Sequence, residues 1–157
     1  MNDQALRDHL VRFLDWGNAH TNFDDAVKDF PSELRGTRPA GSPHSPWELL
    51  EHLRLAIWDI LEFARNPKHV SPKFPEGYWP ATPAPPSDAA WDDSVESYRD
   101  ALRQFAELAA DTSVDLFARI PHGEGQTVLR EILLAADHNA YHLGQLLLVR
   151  RLLGAWS

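Results

Sequence analysis

The sequence has no cysteine among its 157 residues, whereas histidine occurs eight times. Without cysteine there can be no disulfide, no cysteine-ligated zinc or iron–sulfur centre, and no protein thiol acting as a nucleophile. Any metal or covalent chemistry must therefore use histidine, aspartate, glutamate or a bound ion.

The sequence is also poor in positive charge. Fifteen lysines and arginines stand against 23 aspartates and glutamates, which leaves a net charge of −8. Because this charge repels the phosphate backbone and anionic membrane surfaces, we expect neither nucleic acid nor a membrane as a partner. The chain also lacks a signal-peptide pattern and any apolar run of about 18–20 residues, which predicts a cytoplasmic protein.

The remaining composition is that of a folded chain. Hydrophobic residues make up 43% of the sequence and charged residues 24%, as in ordinary globular proteins. The length is close to that of the most common domain size, roughly 150 residues. We therefore expect one domain over residues 1–157.

Prolines and glycines divide the chain into four stretches of helical periodicity. The predicted helices cover residues 3–29, 46–65, 88–110 and 128–153. One mostly apolar face of the first is predicted to carry Leu6, His9, Phe13, Trp16, Gly17, His20, Asp24 and Val27. The second has the strongest start signal, a capping box from Ser45 to Glu48 with proline at the first helical position.

Helices of this number and length predict an all-α four-helix bundle. Residues 66–87 connect the second and third helices and contain seven of the twelve prolines. At about 3.3 Å per residue, this segment can cross a bundle roughly 30 Å long. Its length favours an up-down-down-up order, with up-down-up-down as the alternative. Its aromatic residues predict that it packs along the bundle: they are Phe74, Tyr78 and Trp79.

Histidines on two of the helices could share a metal ion. His138 and His142 are four residues apart on the fourth helix, which places both rings on one face. His52 lies on the apolar face of the second helix. Three histidines from facing helices could hold Zn²⁺, Ni²⁺ or Fe²⁺ with coordination positions left open. The alternative is that each histidine is a hydrogen-bonded structural residue.

Other polar residues are candidates to line the pocket. Asp59, Glu48 and Gln145 could orient the imidazoles or a bound water. The alternatives are capping for Glu48, and a salt bridge or solvent exposure for Asp59. His20 is a candidate acid–base group or additional ligand. The other histidines have no strong supporting pattern: His9, His44, His69 and His122.

The motifs around the three histidines resemble a known family. His52 follows a Ser-Pro-Trp-Glu-Leu-Leu opening, and residues 137–145 read Asp-His-Asn-Ala-Tyr-His-Leu-Gly-Gln. These motifs resemble the DinB/YfiT-like superfamily of metalloenzymes, over essentially the whole chain. The resemblance implies a DinB-like bundle of up-down-down-up order with a divalent metal, commonly nickel or zinc, on His52, His138 and His142. It also implies relatives that act as metal-dependent transferases or isomerases with low-molecular-weight thiols.

Two hypotheses about function follow. The first is a metal-dependent enzyme acting on a small molecule by thiol-dependent transfer or isomerisation, or by hydrolysis. Because the chain has no cysteine, the thiol must be a diffusible cofactor. The second is a non-catalytic, dimeric, stress-related protein with a structural ion. Three histidine ligands with no obvious fourth favour the enzyme, since a structural zinc is usually closed by four protein ligands.

The fourth helix is apolar on the side away from its histidines as well. That side carries Leu133, Ala136, Ala140, Leu143, Gly144 and Leu147. Small residues at four-residue steps allow another helix to approach closely, which predicts a homodimer packed through this face as a C₂ pair. The alternative is that the first and third helices cover it.

Overall fold

Helices make up most of the described chain. The computed structural model describes residues 3–14 and 19–156, and within these ranges it contains five α-helices and no β-strand. The helices are α1 (Gln4–Leu14), α2 (Phe23–Val27), α3 (Pro46–Arg65), α4 (Asp88–Ala110) and α5 (Val128–Leu152). None of them is long and apolar enough to cross a membrane. The predicted all-α bundle is confirmed.

Side-chain caps fix the starts of the three long helices where the sequence predicts them. Ser45, Ser87 and Thr127 each have extended backbone, and each side chain accepts a hydrogen bond from the backbone N–H three residues later. At α3 the capping box is complete, because the backbone N–H of Ser45 also donates to Oε2 of Glu48 at 2.8 Å. These caps satisfy N–H groups that have no partner within the helix.

The long connection joins two parallel helices. Ser94, near the start of α4, donates to Glu51 near the start of α3. Gln104, further along α4, accepts a hydrogen bond of 2.7 Å from Arg65 at the end of α3. Because the contacts follow the same order along both helices, α3 and α4 run in the same direction.

The other two long elements run the opposite way. Arg7, near the start of α1, donates to the carbonyl of Ala109 at the end of α4 at 3.0 Å. His122, just before α5, donates to the carbonyl of Phe63 near the end of α3 at 2.7 Å. Both α1 and α5 therefore begin where α3 and α4 finish. This is the up-down-down-up order that the length of the connection favoured.

The core follows the axis of the bundle. Its largest fully buried apolar side chains come from α3, α4, α5 and the loop before α5. They are Leu49, Leu50, Leu53, Ile57, Leu61, Trp91, Phe105, Leu116, Ile132 and Leu146. Since each such side chain contributes about 1.5–3 kcal/mol when buried, this core holds α3 and α5 at fixed positions around the candidate site.

The predicted single first helix is wrong in its second half. Residues 19–22 are not helical, and α2 starts anew after Asn22. The Asn22 backbone is extended, with φ −77° and ψ 173°, and its side chain accepts a hydrogen bond of 2.8 Å from the N–H of Asp25. Such an N-cap begins a helix and cannot continue one. Trp16 and Gly17, assigned to the same face, lie outside the described residues.

The outward face of α5 is partly apolar. Leu133 is 44% exposed and Leu148 is 56% exposed, and a side chain added at Gly144 would meet open space. The chain itself buries three residues of the predicted dimer face: Ala136, Leu143 and Leu147. The apolar face available to a second copy is therefore narrower than the sequence indicates. The homodimer stays a prediction, and a monomeric mass in light scattering would refute it.

Candidate metal centre

Three histidine rings meet between α3 and α5. Nε2 of His52 lies 3.1 Å from Nε2 of His138 and 3.1 Å from Nε2 of His142. The nitrogen atoms that the three rings could offer to a metal all lie within 4.8 Å of one another. Because α3 and α5 are antiparallel neighbours, the pair on successive turns of α5 faces the single histidine on α3. The structure thus brings together the three histidines identified from the sequence.

Two of these rings are held at the nitrogen that points away from the cluster. Nδ1 of His52 donates to the backbone carbonyl of Tyr78, and Nδ1 of His142 donates to Oε1 of Gln145, each at 2.9 Å. Since a carbonyl oxygen can only accept, these contacts place the proton on Nδ1 of both rings. Nε2 then carries a lone pair, which is the form of imidazole that binds a metal.

The facing lone pairs fit a cation between the rings. With Nδ1 protonated, Nε2 of His52 and Nε2 of His142 have no hydrogen between them at 3.1 Å. Zn–N bonds of about 2.0–2.1 Å place neighbouring ligands of a tetrahedral ion roughly 3.3 Å apart. Nδ1 of His138 is buried with no hydrogen-bond partner among the described residues. No contact at Nδ1 therefore fixes the proton of this ring, and its Nε2 is also available as a metal ligand. The donor set therefore fits one divalent metal ion.

Burial keeps the three rings neutral. Burial, reinforced by His142 and His52, lowers the pKa of His138 to about 3. Burial and the neighbouring His52 lower the pKa of His142 to about 4. The pKa of His52 is also lowered, mainly by burial. At neutral pH all three imidazoles are therefore uncharged, and protons compete little with a metal for their Nε2 atoms.

The segment between α3 and α4 covers the cluster with an aromatic stack, and this confirms its predicted packing along the bundle. The ring of Trp79 stacks on His52 with a centroid distance of 4.0 Å and an interplanar angle of 2°. Trp79 also stacks on His44, at 4.1 Å and 14°. Stacking fixes the plane of the His52 ring, while the Tyr78 carbonyl fixes its rotation. Nothing in the sequence indicated that His44 lies here. The aromatic pair at residues 78–79, within a proline-rich segment, was a usable signal that this segment packs against the bundle.

A buried carboxylate anchors the same segment further along α3. Asp59 is 8% exposed and accepts hydrogen bonds from Nε2 of His69 at 2.6 Å and from the hydroxyl of Tyr78 at 2.5 Å. Burial and the Asp59 carboxylate raise the pKa of Tyr78, so the phenol stays protonated and can donate. Since the carbonyl of Tyr78 holds His52, Asp59 positions that histidine from a distance. Sequence reasoning missed His69, which is part of this anchor.

Glu48 has the capping role that was the alternative to a place in the site. Its carboxylate accepts from the backbone of Ser45 and from Nε of Arg38, each at 2.8 Å. Burial works to raise the pKa of Glu48, but Arg38 and Ser45 outweigh burial and lower it. The carboxylate therefore stays ionised and fixes the start of the helix that carries His52.

His20 borders a different part of the bundle. Its Nδ1 donates to the carbonyl of Thr21 at 2.9 Å, and its side chain is exposed. It lines a cavity formed by α1, α2, α4 and α5, and it is not a member of the three-histidine group. Of the three predicted pocket candidates, Gln145 thus contacts a histidine of the cluster, Asp59 acts through Tyr78, and His20 lies at another cavity.

A cavity of about 420 Å³ opens beside the cluster. His44, His142 and Gln145 form its polar side, and the rest of its wall is largely apolar. The other described lining residues are Gly41, Ser42, Pro43, Leu49, Tyr141, Leu148, Val149 and Leu152. A small molecule in this cavity would contact the edge of the cluster at His142.

Together the fold and the site define a class of protein: a helical bundle with a largely buried three-histidine centre compatible with metal binding. Residues 16–146 match the family model of the DinB superfamily. The chain therefore belongs to the DinB superfamily. Comparison with curated proteins and with solved structures finds no significant match to the chain.

Proposed function

We propose that the protein is a metal-dependent enzyme acting on a small molecule, with one divalent ion held by His52, His138 and His142. The convergence of three neutral imidazoles supports this proposal most directly. Among the described residues, no aspartate, glutamate or fourth histidine joins their group. Structural zinc sites usually have four protein ligands, whereas catalytic sites keep a position open. Imidazole ligands suit zinc, nickel and iron. We take zinc and nickel as the first candidates and iron as the third.

The proposed chemistry divides between the ion and the chain. When bound, a divalent ion lowers the pKa of a thiol or water on its open position, or polarises a carbonyl. Gln145 and the Tyr78 carbonyl hold His142 and His52 with Nε2 directed inward. Since the chain has no cysteine, a sulfur nucleophile would come from a diffusible low-molecular-weight thiol. Thiol-dependent transfer or isomerisation is the leading reaction type, and hydrolysis is the second.

The cavity beside His142 supports a partly apolar substrate. Its volume of about 420 Å³ is in the usual range for small-molecule sites. None of its described lining residues is an aspartate, glutamate, lysine or arginine. Away from the ion, a charged part of a substrate would find no opposite charge on the described wall, whereas an apolar group would pack against Leu49 and Val149.

Metal analysis of the purified protein tests the site. We expect about one divalent ion per chain in the wild type and none in His138→Ala. His122→Ala is the matched control, because His122 donates to the Phe63 carbonyl and should leave the metal content unchanged. Full metal occupancy in His138→Ala would defeat the assignment.

Substrate screening tests the enzymatic part. The metal-loaded protein is assayed with common cellular thiols paired with electrophilic substrates, and with hydrolysable esters and amides. We expect turnover by the wild type and by His122→Ala, but not by His138→Ala. A cobalt-substituted protein whose visible spectrum is unchanged by thiols, together with no turnover, would instead favour the structural ion.

A further inference from the structure

A second cavity lies between the helices, on a separate face of α5. It has a volume of about 440 Å³, and its walls come from α1, α2, α4 and α5. The side chains of Leu14, Phe23, Leu102 and Leu143 make much of this wall apolar. At 100° per residue, the α5 residues that line it lie on average roughly 130° around the helix from the histidines of the cluster. It is therefore separate from the cavity beside His142.

One polar side chain of this wall is buried without a partner. Asn139 is 5% exposed, and neither Nδ2 nor Oδ1 has a hydrogen-bond partner in the described structure. A buried amide that makes no hydrogen bond is destabilising, whereas an apolar side chain of similar size would be tolerated at the same place. Because both amide atoms have almost no accessible surface, a ligand would reach them once the Asn139 side chain turns toward the cavity. The unpaired donor and acceptor indicate that a polar partner belongs there.

We propose that this cavity binds a small, neutral, largely apolar molecule through a carboxamide or lactam group paired with Asn139. An amide of this kind presents an N–H beside a C=O, so it can accept from Nδ2 and donate to Oδ1 at the same time. A carboxylate offers acceptors only and would leave Oδ1 facing another oxygen. A hydrocarbon would satisfy neither atom.

The charge of the wall supports a neutral ligand. No aspartate, glutamate, lysine or arginine is among the described residues that line the cavity. His20 lies at its edge, where it is exposed and hydrogen-bonded to the Thr21 carbonyl. A charged group inside would therefore lose its hydration without gaining an opposite charge from the described wall. The cavity is large enough for a ring-sized molecule.

Three ring compounds of similar size test the proposal on the full-length protein: benzamide, benzoate and toluene. Binding is followed by chemical-shift changes in the protein, with Leu102 and Leu143 as reporters of this cavity. We expect benzamide to bind at least about tenfold more tightly than benzoate or toluene, because only benzamide satisfies both atoms of Asn139. No binding of benzamide, or equal binding of all three compounds, overturns the proposal.

Substitutions in the cavity wall test whether benzamide binds at Asn139. Asn139→Leu should weaken benzamide binding about tenfold or more while toluene binding is kept. Gln104→Leu is the matched control, since the Gln104 amide bonds to Arg65 and does not line the cavity. If Asn139→Leu does not fold, Ala136→Leu fills the cavity from the same helix and should weaken both ligands. The assignment would be overturned if benzamide binding were unchanged in whichever of Asn139→Leu and Ala136→Leu folds. Chemical-shift changes confined to residues around His142 would also overturn it.

Discussion

Two faces of α5 carry buried polar groups, and the two faces differ in which of those groups have a hydrogen-bond partner. On the first, His142 is 9% exposed, and its Nδ1 is paired with Gln145, so Nε2 is left to face its neighbours. On the second, Asn139 is 5% exposed and neither of its amide atoms is paired. Burial is therefore nearly the same on both faces. The unpaired atoms distinguish them: lone pairs converging on one point suit a cation, and an amide in an apolar wall suits a neutral molecule.

Metal removal should distinguish the two faces most directly. Saturation at about 100 times the dissociation constant stabilises a protein by about 2.7 kcal/mol. We therefore expect a chelator to lower the free energy of unfolding by about this amount in the wild type and in Asn139→Leu, but not in His138→Ala. Denaturant unfolding with and without chelator measures it. An equal response of all three proteins would mean that the histidine face does not hold the ion.

Two amide-to-leucine substitutions on α5 separate an effect on a metal ligand from a general effect on the helix. Gln145→Leu removes the acceptor that orients His142, and loss of such a partner typically weakens metal binding about 10–100-fold. Asn139→Leu removes an amide from the other face and should leave metal affinity unchanged. Calorimetric titration of the metal-free proteins with zinc gives both values. Similar losses of zinc affinity in the two variants would show a general effect on α5 and not an effect on the orientation of His142.

Acid should destabilise the metal-free protein through the histidine face. The pKa values of His138 and His142, about 3 and about 4 in the folded state, lie below the ordinary value near 6.5. Between about pH 6.5 and pH 4 the unfolded chain therefore binds protons that the folded chain does not. Stability falls as the pH falls, by at most about 1.4 kcal/mol per pH unit for each ring.

Variants show which face causes this pH dependence. His138→Leu removes one of the titrating rings and should reduce the slope of unfolding free energy against pH between about pH 4 and pH 6.5. Asn139→Leu removes no titratable group, so its slope should equal that of the wild type. Urea unfolding at several pH values measures both. A slope unaffected by His138→Leu would place the acid sensitivity elsewhere.

The sequence predicted the elements whose signals are local. The starts of α3, α4 and α5 depend on capping residues next to the helix, and each was located correctly. The approach of His52 to His138 and His142 needed only helical periodicity and the rule that apolar faces turn inward. The break before α2 also had a local signal in Asn22. The helical spacing of apolar residues on both sides of the break concealed it.

Contacts from the connection between α3 and α4 could not be predicted in the same way. A proline-rich segment has no period that says which of its side chains face the bundle. Trp79 over His52, and His69 on Asp59, depend on where this segment crosses α3. The unpaired state of Asn139 is likewise a property of its surroundings, since the residue type alone is compatible with a satisfied amide.

The smallest expected effect concerns the second face alone. Asn139→Leu should raise the free energy of unfolding by about 1 kcal/mol, because it removes two buried groups that make no hydrogen bond and adds an apolar side chain to an apolar wall. Asn139→Ala removes the same groups but enlarges the cavity, so it should be less stable than the leucine variant. Urea unfolding of the three proteins gives the order. A leucine variant less stable than the wild type would show that the folded chain already satisfies the amide, and the contrast between the two faces of α5 would then disappear.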